Sequence, residues 1–303
     1  MKDWEASLIR IYFLVTEKYK WGLGSYTQRY SNNSEWQKLA FTDEEAITLY
    51  LYGLLQKRRT VKEIYDYSLD HLESWFPTIP SYQKFNARLN RLAPSIEQLS
   101  IELLNRLELP NWLLSGQNKL DAVIDSMPIM LAKGNRSCGA KIAKTVANKS
   151  YCASKKIWYH GVKLHCLGVS NPKKLPIPMV IEFSRASEND NTVFKETIAP
   201  KCRYLRVYGD KIYNDEAVWE ELNELYGIEV FACKKRKRGQ QYLFADQNYY
   251  NTMVSQIRQP IEAFFNWLEQ KVHIQVASKV RSTKGLFKHL FGRLAAALLS
   301  LFF

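Results

Sequence analysis

The chain has 303 residues, of which 46% are hydrophobic and 13% aromatic, and its formal net charge is +13. This length and composition predict a globular protein that can bury a full core and divides into two domains. Residues 1–115 hold 14 basic and 14 acidic side chains. Residues 126–163 hold eight basic and no acidic side chains, and residues 230–303 hold twelve basic and three acidic ones. Such clustering indicates a polyanionic partner, although a single run such as 234–238 is also typical of a solvated face.

Cysteine usage and hydropathy exclude several classes of protein. The five cysteines are dispersed, with no CxxC pair and no histidine at ligand spacing, which argues against a zinc site and for a cytoplasmic protein with reduced thiols. The N-terminus lacks the apolar core of a signal peptide. The apolar run 286–303 is interrupted by Lys288, His289, Gly292 and Arg293, so it predicts a core-packing helix and no membrane span.

Residues 1–115 are predicted to form a helical domain. Capping boxes at residues 42–45 and 60–63 precede apolar residues at helical spacing, and a third helix is predicted at residues 81–92. This order of elements resembles a helix-turn-helix, with two short helices, a turn that contains prolines and then a basic helix. In this interpretation the basic third helix would contact DNA. A structural helical bundle has a similar pattern, so both interpretations stay open.

Beyond Pro110, β-branched and aromatic runs predict five strands, at residues 120–125, 157–169, 177–183, 204–208 and 228–231. Helical stretches at 191–198 and 214–226 separate the later strands. The first three are expected to be antiparallel neighbours and the last two to need helical crossovers, which gives a mixed five-stranded α/β sheet with flanking helices. If the fourth strand returns beside the first, Asp125 and Asp210 meet at adjacent carboxyl ends.

Three acidic residues are notable in this otherwise basic part of the chain. Asp125 and Asp210 each close a predicted strand, and Glu262 lies on a predicted helix. Neighbouring carboxylates repel each other, and a cation makes their joint ionisation favourable. Oxygen ligands without His or Cys indicate Mg²⁺ or Mn²⁺, and two such ions would activate a water or a 3′-hydroxyl for phosphoryl transfer.

Other acidic residues compete for these roles. Asp121 shares the strand face of Asp125, but it lies at the start of the strand, away from the expected site. Asp215 is more plausible at the beginning of the next helix. Glu269 shares the helix face of Glu262 and is the main alternative for the third metal ligand.

Basic residues around the acidic triplet and on the third N-terminal helix are predicted to contact DNA. Lys163 and His165 alternate on the second strand, so both face one side, where they either contact phosphate or pack structurally. The complete predicted set is Lys84, Arg88, Arg91, Lys163, His165, Lys211, Lys234, Lys235, Arg236, Lys237, Arg238 and Arg258.

Several blocks of sequence together carry a family resemblance. They are the IDSMP block at 124–128, YCASKK at 151–156 with YHGVKLH at 159–165, GDKIY at 209–213, RQPIEAFF at 258–265, and RSTKG at 281–285. With them the chain resembles a DDE transposase of a bacterial insertion sequence, most closely insertion-sequence group 982. The resemblance implies an RNase H-like catalytic domain at 116–303, in which Asp125, Asp210 and Glu262 bind catalytic metal.

The resemblance also implies a function. A transposase of this kind recognises the terminal inverted repeats of its element and cleaves and joins double-stranded DNA with Mg²⁺, as a homodimer in the synaptic complex. Arg258 stands where related transposases have an arginine, but Ser255 and Glu269 occupy their tyrosine and lysine positions. The rival interpretations are a metal-dependent nuclease without joining activity and a catalytically inactive DNA-binding derivative.

Overall fold

Residues 3–27, 40–109, 119–236 and 238–302 are described by the structure, a computed structural model. The chain divides into a helical unit, residues 1–104 with 268–303, and a sheet unit, residues 105–267. The sequence placed residues 268–303 in the catalytic domain, whereas the structure groups them with the N-terminal helices. The predicted boundary between residues 115 and 116 lies outside the described residues, as does Lys237.

The N-terminal part is helical, as predicted. Its described helices are α1 (Asp3–Lys20), α2 (Asp43–Leu55), α3 (Val61–Leu72), α4 (Tyr82–Arg91) and α5 (Ala93–Asn105). The predicted capping box begins α2, because the Thr42 hydroxyl accepts from the N–H of Glu45 and the Glu45 carboxylate accepts from the N–H of Thr42. At the start of α3, Thr60 likewise accepts from the N–H of Glu63.

A mixed sheet forms the centre of the sheet unit. Its strands are β1 (Leu120–Lys133), β2 (Asn148–Cys152), β3 (Ile157–Val169), β4 (Ile177–Arg185), β5 (Leu205–Gly209) and β6 (Glu229–Ala232). The described strands follow the order β2-β3-β1-β5-β6, and β4 also pairs with β3. The pairs β1–β5 and β5–β6 are parallel, and the others are antiparallel. The predicted mixed α/β fold is therefore confirmed, with β2 as an additional strand.

The first strand continues well beyond the predicted end at Asp125. It pairs with β3 as far as Lys133, whereas its parallel pairing with β5 stops at Val123 and Tyr208. The polar residues after Ile124 break the apolar run, but the antiparallel ladder with β3 keeps this segment extended. Asp125 therefore lies in the middle of a strand, just past the point where β5 ends.

Helices pack on both faces of the sheet. They are α6 (Asp190–Val193, continued by a π turn over Phe194–Ile198), α7 (Glu216–Tyr226) and α8 (Ala245–Arg258), and α8 is followed by α9 (Pro260–Val272). Ile124 and Val207 are buried in a core with Phe194 of α6 and Leu222 of α7. Helix α8 packs on β1, β5 and β6. Because side chains alternate along β1, Asp125 points to the face opposite Ile124.

Helix α10 (Thr283–Leu299) completes the helical unit and packs on α2 and α4. Gly292 allows a close approach, since a Cβ atom there would lie 2.3 Å from the Tyr50 ring. The Tyr50 hydroxyl donates to the carbonyl of Lys288 at 3.2 Å. The apolar run is thus a buried core helix, as predicted, and none of the described helices is long and apolar enough to cross a membrane.

Candidate active site

Two of the three predicted carboxylates lie where β5 ends. Asp210 directly follows Gly209, the last residue of β5, and its carboxylate accepts from the N–H of Lys211 at 2.6 Å. This bond starts a short 3₁₀ turn over Lys211–Tyr213. On the neighbouring strand, Asp125 lies two positions beyond Val123, the last β1 residue paired with β5. The parallel β1–β5 pairing therefore brings the two aspartates to one edge of the sheet.

Arg258 joins the third carboxylate to this edge. It is the last residue of α8, and Glu262 lies in the first turn of α9. One terminal nitrogen of Arg258 donates to Asp125 at 2.8 Å, and the other donates to Glu262 at 3.0 Å. The side chains of Arg258 and Asp125 are 16% and 22% exposed, so their ion pair is partly shielded from solvent, whereas the Glu262 side chain is 56% exposed.

The pKa values show how closely these charges interact. Burial raises the pKa of Asp125 from 3.8 to about 6, against the effects of the Ser126 N–H and Arg258, and the charges of Asp210 and Asp190 add to the rise. Burial alone would lower the pKa of Arg258, but Asp125, Asp210 and Glu262 raise it. The field of one guanidinium therefore reaches all three predicted carboxylates.

A fourth carboxylate, Asp190, lies beside the triplet and was not predicted. It is 8% exposed and accepts from the Ser126 hydroxyl at 2.9 Å and from Lys163 Nζ at 2.6 Å. Ser126 in turn donates its backbone N–H to Asp125 at 2.8 Å. Asp190 thus fixes the residue that orients Asp125. Its sequence signal is weak, since it is one of two acidic residues in the polar stretch 187–191.

Tyr213 is a second neighbour that the sequence did not single out. Its side chain is fully buried, and among the described residues its hydroxyl has no hydrogen-bond partner. Burial raises the pKa of Tyr213 well above its ordinary value, and Asp190, Asp125 and Asp210 add to this shift. The phenol therefore stays neutral beside the carboxylates and closes the site from the core side.

The donor set fits a hard divalent cation, because it consists of carboxylate oxygens that repel one another. Within the described parts of the chain, however, no three His, Cys, Asp or Glu side chains converge closely enough to hold one metal ion. Arg258 accounts for this arrangement, since it is bonded to both Asp125 and Glu262. A metal ion held by Asp125 and Glu262 would have to displace Arg258 from both carboxylates.

The competing carboxylates have other partners. Asp121 forms an ion pair with Arg206 at 2.8 Å and accepts from the Tyr208 hydroxyl at 3.2 Å. Asp215 caps α7, as the sequence predicted.

Glu269, the main alternative to Glu262, accepts from the N–H of Gln275 at 2.8 Å. Glu262 is instead joined to Asp125 through Arg258. These contacts favour Glu262 over Glu269 as the third acidic residue.

Lys163 and His165 both face Asp190. Lys163 donates to its carboxylate, and His165 is fully buried with its Nδ1 4.0 Å from the same carboxylate. The His165 Nε2 lies 2.8 Å from the Ser184 hydroxyl, and burial lowers the pKa of His165 to about 4. Of the two interpretations left open, the structure favours packing for His165, whereas Lys163 keeps 17% of its side chain exposed. Lys211 is exposed beside Asp210.

The basic run after β6 is partly tied down. Lys234 Nζ lies 3.5 Å from Glu216 and over the Trp219 ring, and Lys235 donates to the carbonyl of Asn214. Arg236 donates to the carbonyl of Gln241, and Arg238 is exposed.

Two of the three predicted DNA contacts on α4 hold a buried carboxylate. Asp43, whose side chain is fully buried, lies 2.8 Å from Arg91 and 3.6 Å from Arg88. Arg88 also donates to the carbonyl of Phe41. Lys84 is exposed. The structure thus gives Arg88 and Arg91 a role in packing α4 against the start of α2.

The five cysteines are all unpaired in the structure.

Comparison with known proteins identifies the family of the chain. A sequence profile described as Transposase DDE domain matches residues 119–299, from the first strand through α10. A search among curated proteins found no match. The matched segment contains Asp125, Asp210 and Glu262, and its mixed sheet with flanking helices is consistent with an RNase H-like fold. Because the match covers more than half of the sequence, the chain belongs to the DDE transposase domain family.

Proposed function

We propose that this chain is a transposase that recognises the terminal inverted repeats of an insertion sequence and catalyses metal-dependent cleavage and transfer of DNA strands. The observation that carries this proposal is the grouping of three carboxylates around Arg258. Family membership supports the reaction class, and the concentration of basic residues in 126–163 supports DNA as the partner.

Asp125, Asp210 and Glu262 would hold the metal, with Mg²⁺ or Mn²⁺ as the cation that suits oxygen ligands. Bound divalent ions would supply activation of a water or a 3′-hydroxyl and neutralisation of the phosphate. Ser126 and Asp190 keep the Asp125 carboxylate in place through the bonds described above. The Asp125 carboxylate is therefore held in position before substrate arrives.

Arg258 has a second role in this proposal. Its guanidinium pairs with Asp125 and Glu262. If a divalent ion took over the charge balance of these carboxylates, Arg258 would hold a DNA phosphate in a bidentate contact. Lys211, which is exposed beside Asp210, supplies a further positive charge for the same DNA strand. The protein's own contribution is thus positioning of the phosphate and compensation of its charge.

The resemblance in the blocks at 124–128, 209–213 and 258–265 supports insertion-sequence group 982 and a bacterial source. We assign double-stranded DNA at the element ends and at the target as the partner, a homodimer as the synaptic form and the cytoplasm as the location. Residues 1–115 would help to recognise the ends, with the basic stretches of the sheet unit neutralising phosphate.

Substitution of the three carboxylates tests the proposal. Asp125→Asn, Asp210→Asn and Glu262→Gln each remove a ligand charge with little change in volume, so each should abolish cleavage and joining while DNA binding persists. Glu269→Gln is the matched control and should remain active. EDTA should stop the wild-type reaction. An inactive Glu269→Gln protein together with an active Glu262→Gln protein would show that the third ligand is assigned wrongly.

A pre-cleaved DNA end separates the transposase from its rivals. The transposase should join such an end to target DNA, whereas a nuclease with the same carboxylates would cleave and not join. An inactive DNA-binding derivative would do neither, even with all three carboxylates present.

A further inference from the structure

The helical unit contains a cavity of about 810 Å³ that the proposed reaction does not use. Its described wall comes from α2, α3, α4, α10 and the segment before α10. Six of the described wall residues are lysine or arginine, and Glu63 is the one acidic residue among them. The Glu63 carboxylate already accepts from the Arg59 N–H at 2.8 Å and the Thr60 hydroxyl at 3.1 Å. Lys62 is also paired with Asp66 at 2.5 Å, and the wall keeps a net positive charge.

Two of these cations are buried. Lys288 is 6% exposed and donates to the neutral Asn86 amide oxygen at 2.9 Å. Burial lowers the pKa of Lys288 to about 8, with no carboxylate opposing the shift. Arg293 is 4% exposed and donates to the carbonyls of Val272 and Arg59 and to His289. The charges of Glu269 and Glu63 act on Arg293, whereas none acts on Lys288. A buried cation with a neutral partner is costly, and an anion in the adjoining space would compensate Lys288.

The backbone adds positive potential at the same place. Helices α3 and α10 both begin at the cavity, where Thr60 and Ser282 are their N-caps. The positive ends of two helix dipoles therefore meet there. A further buried acceptor, the side-chain oxygen of Asn90, has no hydrogen-bond partner among the described residues, and it lies in the cavity wall. A water placed between this oxygen and a bound anion would satisfy it.

We propose that this cavity is a phosphate-binding pocket that holds a backbone phosphate of DNA, with Lys288 at its base and Arg281 at its rim. The inference deepens the proposed function, on which its choice of DNA as the source of the phosphate rests. Arg281 is exposed and donates to the carbonyls of Ser278 and Val280, so its charge remains available to an anion. The pocket lies outside the acidic site, in the other unit of the chain.

Lys288→Met tests the pocket, because methionine keeps most of the side-chain volume and removes the charge. Burial of a cation is unfavourable, so the variant should fold with an unchanged or higher Tm. Its affinity for random-sequence duplex DNA should fall several-fold, and the slope of log K against log salt should become shallower by about 0.9 for one lost phosphate contact. Arg281→Gln, at the exposed rim, should act in the same direction without any risk to folding.

Inorganic phosphate provides a second readout that does not depend on DNA. At equal ionic strength, phosphate should raise the Tm of the wild-type protein above that seen in chloride, and it should do so less in Lys288→Met. Lys20→Met is the matched control, since Lys20 is exposed on α1 outside the cavity. General stabilisation by phosphate would act equally on all three proteins.

The outcomes separate the two proposals. Equal stabilisation by phosphate in wild type and Lys288→Met would overturn the pocket. Selective stabilisation by phosphate with unchanged DNA affinity and salt slope would overturn DNA as its ligand and indicate a free phosphate compound. A wild-type protein that binds no DNA would refute the proposed function, while the phosphate measurement would still decide the pocket.

Discussion

At the scale of single residues, the buried carboxylate of Asp125 lowers the stability of the folded protein. The pKa of Asp125 is about 6, against an ordinary 3.8, because the carboxylate is buried near other negative charges. The folded chain therefore binds this proton more tightly than the unfolded chain. Stability must decline as pH rises from about 4 to about 6, and the loss is complete above that range.

Asp125→Asn should remove this pH dependence. The shift in pKa corresponds to about 3 kcal/mol at most, so we expect the variant to be more stable than wild type by about 1–3 kcal/mol at pH 8 and equally stable at pH 4. Thermal or urea unfolding in EDTA measures the difference. Mg²⁺ should then raise the Tm of the wild-type protein at pH 8 and not that of the variant. Parallel pH profiles for the two proteins would contradict the argument.

Arg258→Gln should change metal binding and catalysis in opposite directions. Loss of the guanidinium leaves Asp125 and Glu262 without their ion-pair partner. Because Mn²⁺ then no longer competes with Arg258 for these carboxylates, it should bind roughly tenfold more tightly, which corresponds to about 1.4 kcal/mol. Strand cleavage should fall by about 10²-fold, because a preorganised phosphate donor is lost.

Calorimetry with Mn²⁺ and a cleavage assay check the two effects. Arg206→Gln is the control, since Arg206 pairs with Asp121 in the same sheet and should alter neither property. Weaker Mn²⁺ binding in Arg258→Gln would show that the arginine supports the metal site and does not compete with it.

At the scale of elements, the separate roles of residues on α4 can be measured. Arg91→Gln leaves the buried Asp43 with a weaker set of partners, so the helical unit should lose about 1–3 kcal/mol of stability. Lys84→Gln should leave stability unchanged, because Lys84 is exposed. If α4 reads base edges, Lys84→Gln should lower the preference for element ends over scrambled DNA. An unchanged preference would leave the helical-bundle interpretation for α4.

Local sequence signals predicted most of the elements. Apolar and β-branched runs marked β3 and β5, and capping residues marked the starts of α2 and α3. Strand β2 was missed, because Asn148–Cys152 has no apolar alternation and its extended state depends on pairing with β3. The end of β1 was placed too early for a related reason, since the β3 ladder and not the local composition keeps residues 126–133 extended.

The acidic site was predictable in part. Asp125 and Asp210 could be placed together because they follow apolar runs in strands expected to be neighbours. Asp190 could not, since it follows β4 in a polar stretch and only the fold brings it to Ser126 and Lys163. Sequence spacing likewise gave no sign that Arg88 and Arg91 hold a buried carboxylate 45 or more residues earlier in the chain.

At the scale of the whole molecule, the positive charge should govern affinity for DNA of any sequence. Replacement of residues 234–238 by Gln should weaken binding to end DNA and scrambled DNA alike, and flatten the salt dependence by up to about 0.9 for each lost phosphate contact. The control is replacement of Lys173 and Lys174, an exposed basic pair outside the predicted DNA-binding set. An unchanged salt slope would show that the basic run is solvated surface.

The helical unit is discontinuous in sequence, so its two parts are synthesised at different times. Helices α2 and α4 leave the ribosome early, but their partner α10 is translated only after the whole sheet unit. At about 5–20 residues per second, translation of residues 105–267 takes roughly 8–30 s, during which the apolar surfaces of α2 and α4 lack this partner. A nonsense or frameshift mutation between residue 104 and the start of α10 at Thr283 therefore leaves α2 and α4 permanently without this partner. Decayed copies of such a gene should yield chains that proteases remove, and not inhibitors that compete for the same DNA.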